Sequence, residues 1–136
     1  MAPLSHLLTP ALLFGWMLAW EIGGRNIVND FADVEEDTRL GVRTVPLVYG
    51  PRFAARLDFA FLSVTAIGGV LLQPIAGLGL AYGLVAAAAG IYLLVLPGLR
   101  LLRRPRPEQA MAVFNRASLY PPTVLAGLIL ALALAA

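Results

Sequence analysis

Long charge-free stretches alternate with short arginine-rich ones along the 136 residues of this chain. Three stretches carry no formal charge when His6 is neutral: residues 1–20, 59–99 and 117–136. A helix that crosses a bilayer needs roughly 20 mostly apolar residues at about 1.5 Å of rise per residue. Each stretch is therefore long enough to form at least one membrane-spanning helix.

The middle stretch is about twice as long as one crossing requires, so we expect it to fold back on itself. The segment Leu71–Gly79, LLQPIAGLG, supplies the break, because Pro74 and two glycines disfavour a continuing helix. The pattern predicts an all-α fold, an integral membrane bundle of about four transmembrane helices.

The composition supports a membrane protein. Hydrophobic residues make up 60% of the chain, charged residues make up 13%, and the mean hydropathy is +0.81. A cleaved signal peptide is a less favoured interpretation of the first stretch. The stretch lacks the basic N-terminal region of a signal peptide, and Glu-Ile-Gly-Gly-Arg follows it where a small-residue cleavage site would be expected. The absence of cysteine excludes disulfides and thiolate metal sites. A single membrane domain, residues 1–136, accounts for the chain, and no nucleic-acid partner is expected.

Arginine supplies every basic side chain except His6, because the sequence contains no lysine. The arginines form two groups, residues 25–56 and residues 100–116, at the two ends of the predicted hairpin. Both groups must then lie on one side of the membrane, which the positive-inside rule predicts to be cytoplasmic. The polybasic segment RLLRRPRP, residues 100–107, is expected to meet anionic lipid headgroups, with diphosphate binding as the alternative.

Six of the eight acidic residues fall between Glu21 and Asp37. In a helix with about 100° per residue, four polar residues between positions 26 and 37 share a stripe about 60° wide. Glu35 points away from this stripe. Neighbouring carboxylates on this stripe lie about 6 Å apart, and their repulsion costs about 0.7 kcal/mol per pair in water and nearly 3 kcal/mol at an effective dielectric of about 20. Divalent cations, nearby arginines or hydration would relieve the repulsion. The stripe consists of Asn26, Asp30, Asp33 and Asp37.

Oxygen ligands without a thiolate and with one distant histidine favour Mg²⁺ over zinc or copper. Because Mg²⁺ keeps several waters and binds substrate phosphates, an aspartate stripe followed by Arg43 suits a metal-bridged diphosphate. An EF-hand is excluded, since Glu35 occupies the position where that loop needs glycine. Spacing alone also allows a solvated acidic loop, with Glu35 and Arg39 as an ordinary ion pair.

Trp16 and Trp20 lie four residues apart near the end of the first predicted span. This position favours interfacial anchors, with a substrate-stacking pair as the alternative. Tyr49 and Tyr120 are likewise interpreted as residues of the aromatic belt at the membrane surface.

The segment Glu21–Gly50, EIGGRNIVNDFADVEEDTRLGVRTVPLVYG, resembles the second aspartate-rich motif of the UbiA-type membrane prenyltransferases. The segment FNRASLY, residues 114–120, resembles the C-terminal part of the same family. The motif is closer to the homogentisate, chlorophyll and archaeal ether-lipid branches than to the 4-hydroxybenzoate branch. The matching positions are Asp30, Asp33, Asp37, Gly41, Arg43, Thr44, Pro46 and Gly50.

The resemblance implies a helical bundle whose cavity opens to lipid and which uses Mg²⁺ to bind a polyprenyl diphosphate. The diphosphate would leave, and a lipophilic acceptor, an aromatic compound or a lipid alcohol, would attack the allylic carbocation. The resemblance assigns catalytic roles to Asp33, Asp37 and Arg43. The metal ligands would be Asp30, Asp33 and Asp37, and the substrate-binding residues would be Arg43, Arg39 and Asn26.

The family uses two aspartate-rich motifs on different helices, and this chain contains only the second. It therefore resembles the C-terminal half of a family member: a fragment, half of a split enzyme, or a remnant. We expect prenyl transfer to need an N-terminal half, because self-association would supply only another copy of the same motif. The alternative is a small non-catalytic membrane protein that keeps the motif as a structural cation-binding loop. A transporter fragment fits less well, since the predicted span interiors lack ionisable residues.

Overall fold

Four long helical stretches dominate the computed structural model, which describes residues 3–136, with side chains from residue 6 onward. Each stretch is long and apolar enough to cross a membrane. The described residues form no β-strand. The predicted all-α membrane bundle of four transmembrane helices is therefore confirmed. The stretches are span 1, His6–Ala32; span 2, Pro51–Ile75; span 3, Leu80–Arg103; and span 4, Pro107–Ala135.

Two of the spans contain a π-helical turn, in which the backbone carries an extra residue per turn. The first such turn, Ile22–Asn26, interrupts span 1, and the second, Gly90–Val95, interrupts span 3. The α-helices in the described residues are α1 Pro3–Glu21, α2 Ile27–Ala32, α3 Val34–Leu40, α4 Val45–Tyr49, α5 Pro51–Ile75, α6 Leu80–Ala89, α7 Leu96–Arg103, α8 Pro107–Ala117 and α9 Tyr120–Ala135.

The connection between spans 2 and 3 lies within the predicted break. Helix α5 continues through Pro74 to Ile75, and Gly77 then adopts a left-handed backbone with φ of 66°. The side-chain amide of Gln73 donates to the Leu78 carbonyl at 2.9 Å. This hydrogen bond satisfies one carbonyl of the connection and fixes the turn from which α6 begins.

Aromatic side chains from three spans donate hydrogen bonds to the backbone of span 2. The Trp16 indole N–H and the Tyr120 hydroxyl both donate to the Thr65 carbonyl, at 2.9 and 3.3 Å. The Tyr82 hydroxyl donates to the Gly69 carbonyl at 2.9 Å. Because a polar group left without a partner in an apolar interior is costly, these bonds hold spans 1, 3 and 4 against the middle of span 2.

The indole N–H groups of Trp16 and Trp20, the two predicted interfacial anchors, bond to backbone carbonyls of other helices. Trp20 donates to the Ala117 carbonyl at 2.8 Å, and Trp16 bonds inside the bundle as described above. Tyr120, expected in the aromatic belt, is 2% exposed and belongs to the core. Its ring meets Trp16 edge-on, with 6.1 Å between the ring centroids. Helix spacing alone does not reveal which aromatic groups find partners on other helices.

Close contact between spans 2 and 3 depends on Gly90, at the start of the second π-helical turn. A Cβ atom at this position would lie 2.9 Å from the Ala66 Cβ and 3.3 Å from the Ala66 Cα. Both atoms belong to the buried face of α5 and cannot rotate away.

We expect Gly90→Ala to lower the free energy of unfolding by about 1–3 kcal/mol, because the added methyl group overpacks the contact with Ala66. Gly15→Ala is the matched control, since Gly15 lies in α1 and no atom lies within 4 Å of the place that its added methyl group would take. That change should be neutral or stabilising by up to about 1 kcal/mol. Thermal unfolding of the detergent-solubilised protein measures the stability change of each variant. Equal stability of the two variants would contradict the close contact.

Candidate functional site

The first π-helical turn places a pair of glycines between two other spans. A Cβ at Gly23 would lie 2.9 Å from the Phe61 Cβ of α5, and a Cβ at Gly24 would lie 3.0 Å from the Ala117 Cβ of α8. The two glycines therefore allow span 1 to contact span 2 and span 4 at the same level. Turns of this type often occur at functional sites.

Beyond this turn, span 1 presents one apolar face and one polar face. Ile27, Val28 and Phe31 are buried in the core. On the polar side, Asn26 and Asp33 are exposed, whereas two aspartates, Asp30 and Asp37, are half-buried. Much of the polar side of this segment is therefore left uncovered by the described bundle.

Helical hydrogen bonding continues across Asp33, although two helices meet there. The Asp33 amide donates to the Asn29 carbonyl at 3.0 Å, and the Asp37 amide donates to the Asp33 carbonyl at 2.8 Å. The backbone at Asp33 has φ of −98° and ψ of 13°, which separates α2 from α3. The predicted helix therefore extends the first span toward Leu40, with a local distortion at Asp33.

The oxygen ligands of the stripe suit Mg²⁺ in chemical type. The stretch from Asp30 to Asp37 covers about 10 Å of helix, at about 1.5 Å per residue. In the part of the chain that the structure describes, no group of three or more His, Cys, Asp or Glu side chains is arranged to hold a metal ion. An ion held by one or two of these aspartates would complete its shell with water, phosphate oxygens or ligands from another segment.

The acidic helix ends at Gly41, which adopts a left-handed conformation with φ of 68°. The Val42 amide donates back to the Asp37 carbonyl at 2.9 Å, which closes the end of the helix. Arg43 follows the turn, is exposed, and forms no ion pair with any residue from 6 to 136. Its guanidinium is therefore accessible.

Arg39 pairs with Glu36, three residues before it, and not with Glu35 as the i,i+4 spacing suggested. Both side chains are more than half exposed, so the pair adds little stability. Glu35 is exposed. Spacings of three and four residues both place opposite charges on one helix face, so spacing alone does not distinguish the two glutamates.

Arg25 lies inside the first π-helical turn and was not among the predicted site residues. It is half-buried, whereas the other nine arginines are exposed. Its guanidinium carbon is 4.9 Å from the Phe114 ring centroid and 5.9 Å from that of Trp20. Its Nε atom is 3.8 Å from a Glu21 carboxylate oxygen. The sequence feature that could have indicated Arg25 as a site residue is its position near the end of an apolar span, directly after two glycines.

An apolar cavity of about 370 Å³ lies between α1 and α9. Four aromatic side chains line it together with aliphatic ones. Trp20 borders this cavity and also lies beside Arg25, so the cavity extends to the level of the π-helical turn. Sequence reasoning missed the cavity, because the gap between two helices depends on their packing. The aromatic lining residues are Trp16, Trp20, Tyr82 and Tyr120.

Comparison with known proteins places the chain in a family. A sequence profile of the UbiA prenyltransferase family matches residues 3–120. The chain belongs to this family. The UbiA family assignment agrees with the four membrane-spanning helices, and the chain is an integral membrane protein.

Two curated relatives have the name digeranylgeranylglyceryl phosphate synthase. The protein from Thermococcus sibiricus is 34% identical over 86 residues, which are 63% of this chain and 30% of the relative. The protein from Thermococcus gammatolerans is 34% identical over 85 residues, which are 62% of this chain and 29% of the relative. The 136 residues thus span about half the length of either UbiA relative. No solved structure matches the chain.

Asp58 is an ionisable residue in the interior of this UbiA-family bundle. It is 0% exposed, and neither carboxylate oxygen has a hydrogen-bond partner among the described residues. The prediction that the span interiors lack ionisable residues is therefore wrong. The prediction places the start of the second span at Phe59, where the charge-free stretch begins. Helix α5 begins earlier, at Pro51, and therefore includes Asp58.

We expect Asp58→Val to raise the free energy of unfolding by about 1–3 kcal/mol, because it removes buried polar atoms that have no partner. Glu108→Val, an exposed acid in the first turn of α8, is the control and should change stability by less than about 0.5 kcal/mol. Denaturant or thermal unfolding in detergent compares them. A loss of stability in the Asp58 variant would show that the carboxyl group has a stabilising partner.

Proposed function

We propose that this UbiA-family chain takes part in the Mg²⁺-assisted transfer of a polyprenyl group from a polyprenyl diphosphate to a lipophilic acceptor. The observation that carries the proposal is the order of features along span 1. The apolar cavity borders Trp16 and Trp20, and the aspartate stripe begins one to two turns further along the same helix. A prenyl diphosphate has the same two-part chemistry, an apolar chain joined to a polyanion.

The size of the cavity fits a prenyl chain. An apolar protein cavity of about 150 Å³ binds benzene, so a volume of 370 Å³ corresponds to roughly 15 carbon atoms, or about three isoprene units. About 15 Å of helix separates Trp20 from Asp30. That distance leaves room for one more isoprene unit and the diphosphate between the cavity and the stripe.

In the proposed site, Asp30, Asp33 and Asp37 would hold Mg²⁺, with one or two of them at each ion and with water and phosphate oxygens completing its shell. When bound, Mg²⁺ would neutralise part of the charge on the departing diphosphate. The exposed Arg43 donates to phosphate oxygens in a bidentate contact, because its planar guanidinium matches their geometry. Arg39 and Asn26 bind the substrate from either end of the stripe. The apolar cavity holds the part of the chain that lies farthest from the diphosphate.

The names of the two relatives favour a lipid alcohol over an aromatic compound as the acceptor. Digeranylgeranylglyceryl phosphate carries geranylgeranyl groups on a glyceryl phosphate. By analogy, we propose a geranylgeranyl-type donor and a prenylated glyceryl phosphate as the acceptor of this chain.

We further propose that a second aspartate-rich segment completes the site. The 136 residues contain one such motif, and its polar stripe faces away from the described bundle. Polar groups at the end of a membrane span require polar surroundings, which a second motif on another helix would provide. An N-terminal half of the UbiA type would provide a different motif, whereas self-association would provide a second copy of this one.

Replacing both Asp33 and Asp37 by alanine should weaken Mg²⁺-dependent binding of a labelled polyprenyl diphosphate by about 100-fold or more, since even indirect changes at metal sites cost about 10–100-fold. Glu35→Ala is the control, because Glu35 lies in the same segment but off the stripe. Binding is measured on the purified chain with Mg²⁺ and again with a chelator. Transfer is then measured after co-expression with a segment that carries the other aspartate-rich motif.

Unchanged binding in the double variant would contradict the assigned roles. If the unaltered chain binds no diphosphate, alone or with the second segment, the motif is a structural loop and the proposed activity is wrong.

We propose that the aspartate stripe faces the cytoplasm, as the positions of the arginines predict. The natural chain has no cysteine, so a single introduced cysteine is a unique label. Val42→Cys and Ala76→Cys replace exposed residues of the connections that precede and follow span 2. In intact cells, a membrane-impermeant maleimide should label the Ala76→Cys variant. It should label the Val42→Cys variant only after permeabilisation, and the reverse pattern would overturn the orientation.

A further inference from the structure

Arg25 occupies the boundary between the apolar cavity and the aspartate stripe. The Trp20 ring lines the cavity, and its N–H bond to the Ala117 carbonyl at 2.8 Å fixes the position of this ring. The Arg25 guanidinium lies beside the same ring at 5.9 Å and beside the Phe114 ring at 4.9 Å. The arginine therefore lies beside Trp20, at the end of the cavity nearest the aspartate stripe.

The guanidinium of Arg25 has unused binding capacity. Its only ionic contact with a described residue is the 3.8 Å approach of Nε to Glu21, and the two side chains of this pair are 38% and 45% exposed. The aromatic rings of Trp20 and Phe114 stabilise the charge without using its N–H donors. The planar fork of a guanidinium can donate to two phosphate oxygens at once.

The local backbone specifies this placement. Gly23 and Gly24 bring the π-helical turn against α5 and α8, and Arg25 is the next residue. Charged residues within membrane-spanning helices usually serve a function. No acidic partner in close hydrogen-bonding contact accounts for Arg25 within the described residues, which points to an anionic ligand.

We propose that Arg25 is a further substrate-binding residue that contacts the diphosphate beyond the Trp20 end of the cavity, an inference that rests on the proposed function. With the prenyl chain in the cavity and the metal-bound phosphates at the stripe, the bond between the allylic carbon and the diphosphate oxygen lies near Arg25. When this bond breaks, its electron pair stays on the diphosphate oxygen. The guanidinium stabilises the negative charge that develops there.

The test compares ligands with and without the diphosphate. Binding of geranylgeranyl diphosphate with Mg²⁺, and of geranylgeraniol, is measured on the full chain by titration calorimetry and by the fluorescence of its two tryptophans. Arg25→Gln should weaken diphosphate binding about 10- to 100-fold, the effect of losing a charge-assisted contact. Binding of geranylgeraniol should change less than about twofold, because the apolar cavity is unchanged.

Arg25→Lys keeps the positive charge but cannot donate two parallel hydrogen bonds as a guanidinium does. Its affinity for the diphosphate should therefore lie between those of the natural chain and Arg25→Gln. Arg56→Gln, at an exposed arginine of span 2, is the control for general loss of positive charge and should leave both affinities unchanged. Thermal unfolding of each variant confirms that the bundle is intact.

Equal weakening of the diphosphate and the alcohol by Arg25→Gln would overturn the inference and assign Arg25 a packing role beside Trp20 and Phe114. Unchanged binding of both ligands would also overturn it, while leaving the proposed function in place. A natural chain that binds neither ligand, alone or together with the second aspartate-rich segment, would instead contradict the proposed function, and the inference would fail with it.

Discussion

The requirement that polar groups inside a membrane find partners within the protein organises this bundle. Span 2 meets it by accepting hydrogen bonds at two backbone carbonyls, Thr65 and Gly69, from the side chains of Trp16, Tyr82 and Tyr120. Each donor comes from a different span, so one stretch of α5 fixes the positions of the other three. Apolar packing is less specific, because lipid tails compete for the same surfaces. Directional bonds between aromatic groups and carbonyls therefore determine where the spans meet.

The cavity and the polar site follow from this arrangement. The same aromatic rings that reach span 2 stand between α1 and α9 and form the wall of the apolar cavity. Nearer the arginine-rich side, Gly23 and Gly24 allow span 1 to touch α5 and α8 directly. Span 1 consequently borders an open apolar space along one part of its length and carries Asp30, Asp33 and Asp37 along the next. The family assignment gives this order a chemical interpretation, an apolar chain followed by its diphosphate.

Much of the fold could be predicted from the sequence, because membrane crossing imposes a length and a polarity on each helix. The four spans and the turn after Pro74 follow from this constraint. The π-helical turns and the interhelical bonds of Trp20 could not be predicted, since they depend on neighbouring backbones. Asp58 was missed because charge-free stretches mark where a span is apolar and not where its helix begins. Arg25 was missed because spacing separated it from the aspartates, whereas packing places it beside the cavity.

The carboxyl group of Asp58 and those of the aspartate stripe lie in different surroundings. Asp58 is enclosed by its own bundle without a hydrogen-bond partner among the described residues, so nothing outside the chain reaches it. The aspartates of the stripe are at least partly exposed, on the face of span 1 that the bundle leaves uncovered. Since lipid tails cannot solvate carboxylates, this face needs water, a cation or another protein surface. A metal-bound diphosphate and a second polar segment would satisfy all three aspartates together. The uncovered stripe therefore supports a shared site more strongly than a loop that serves only this chain.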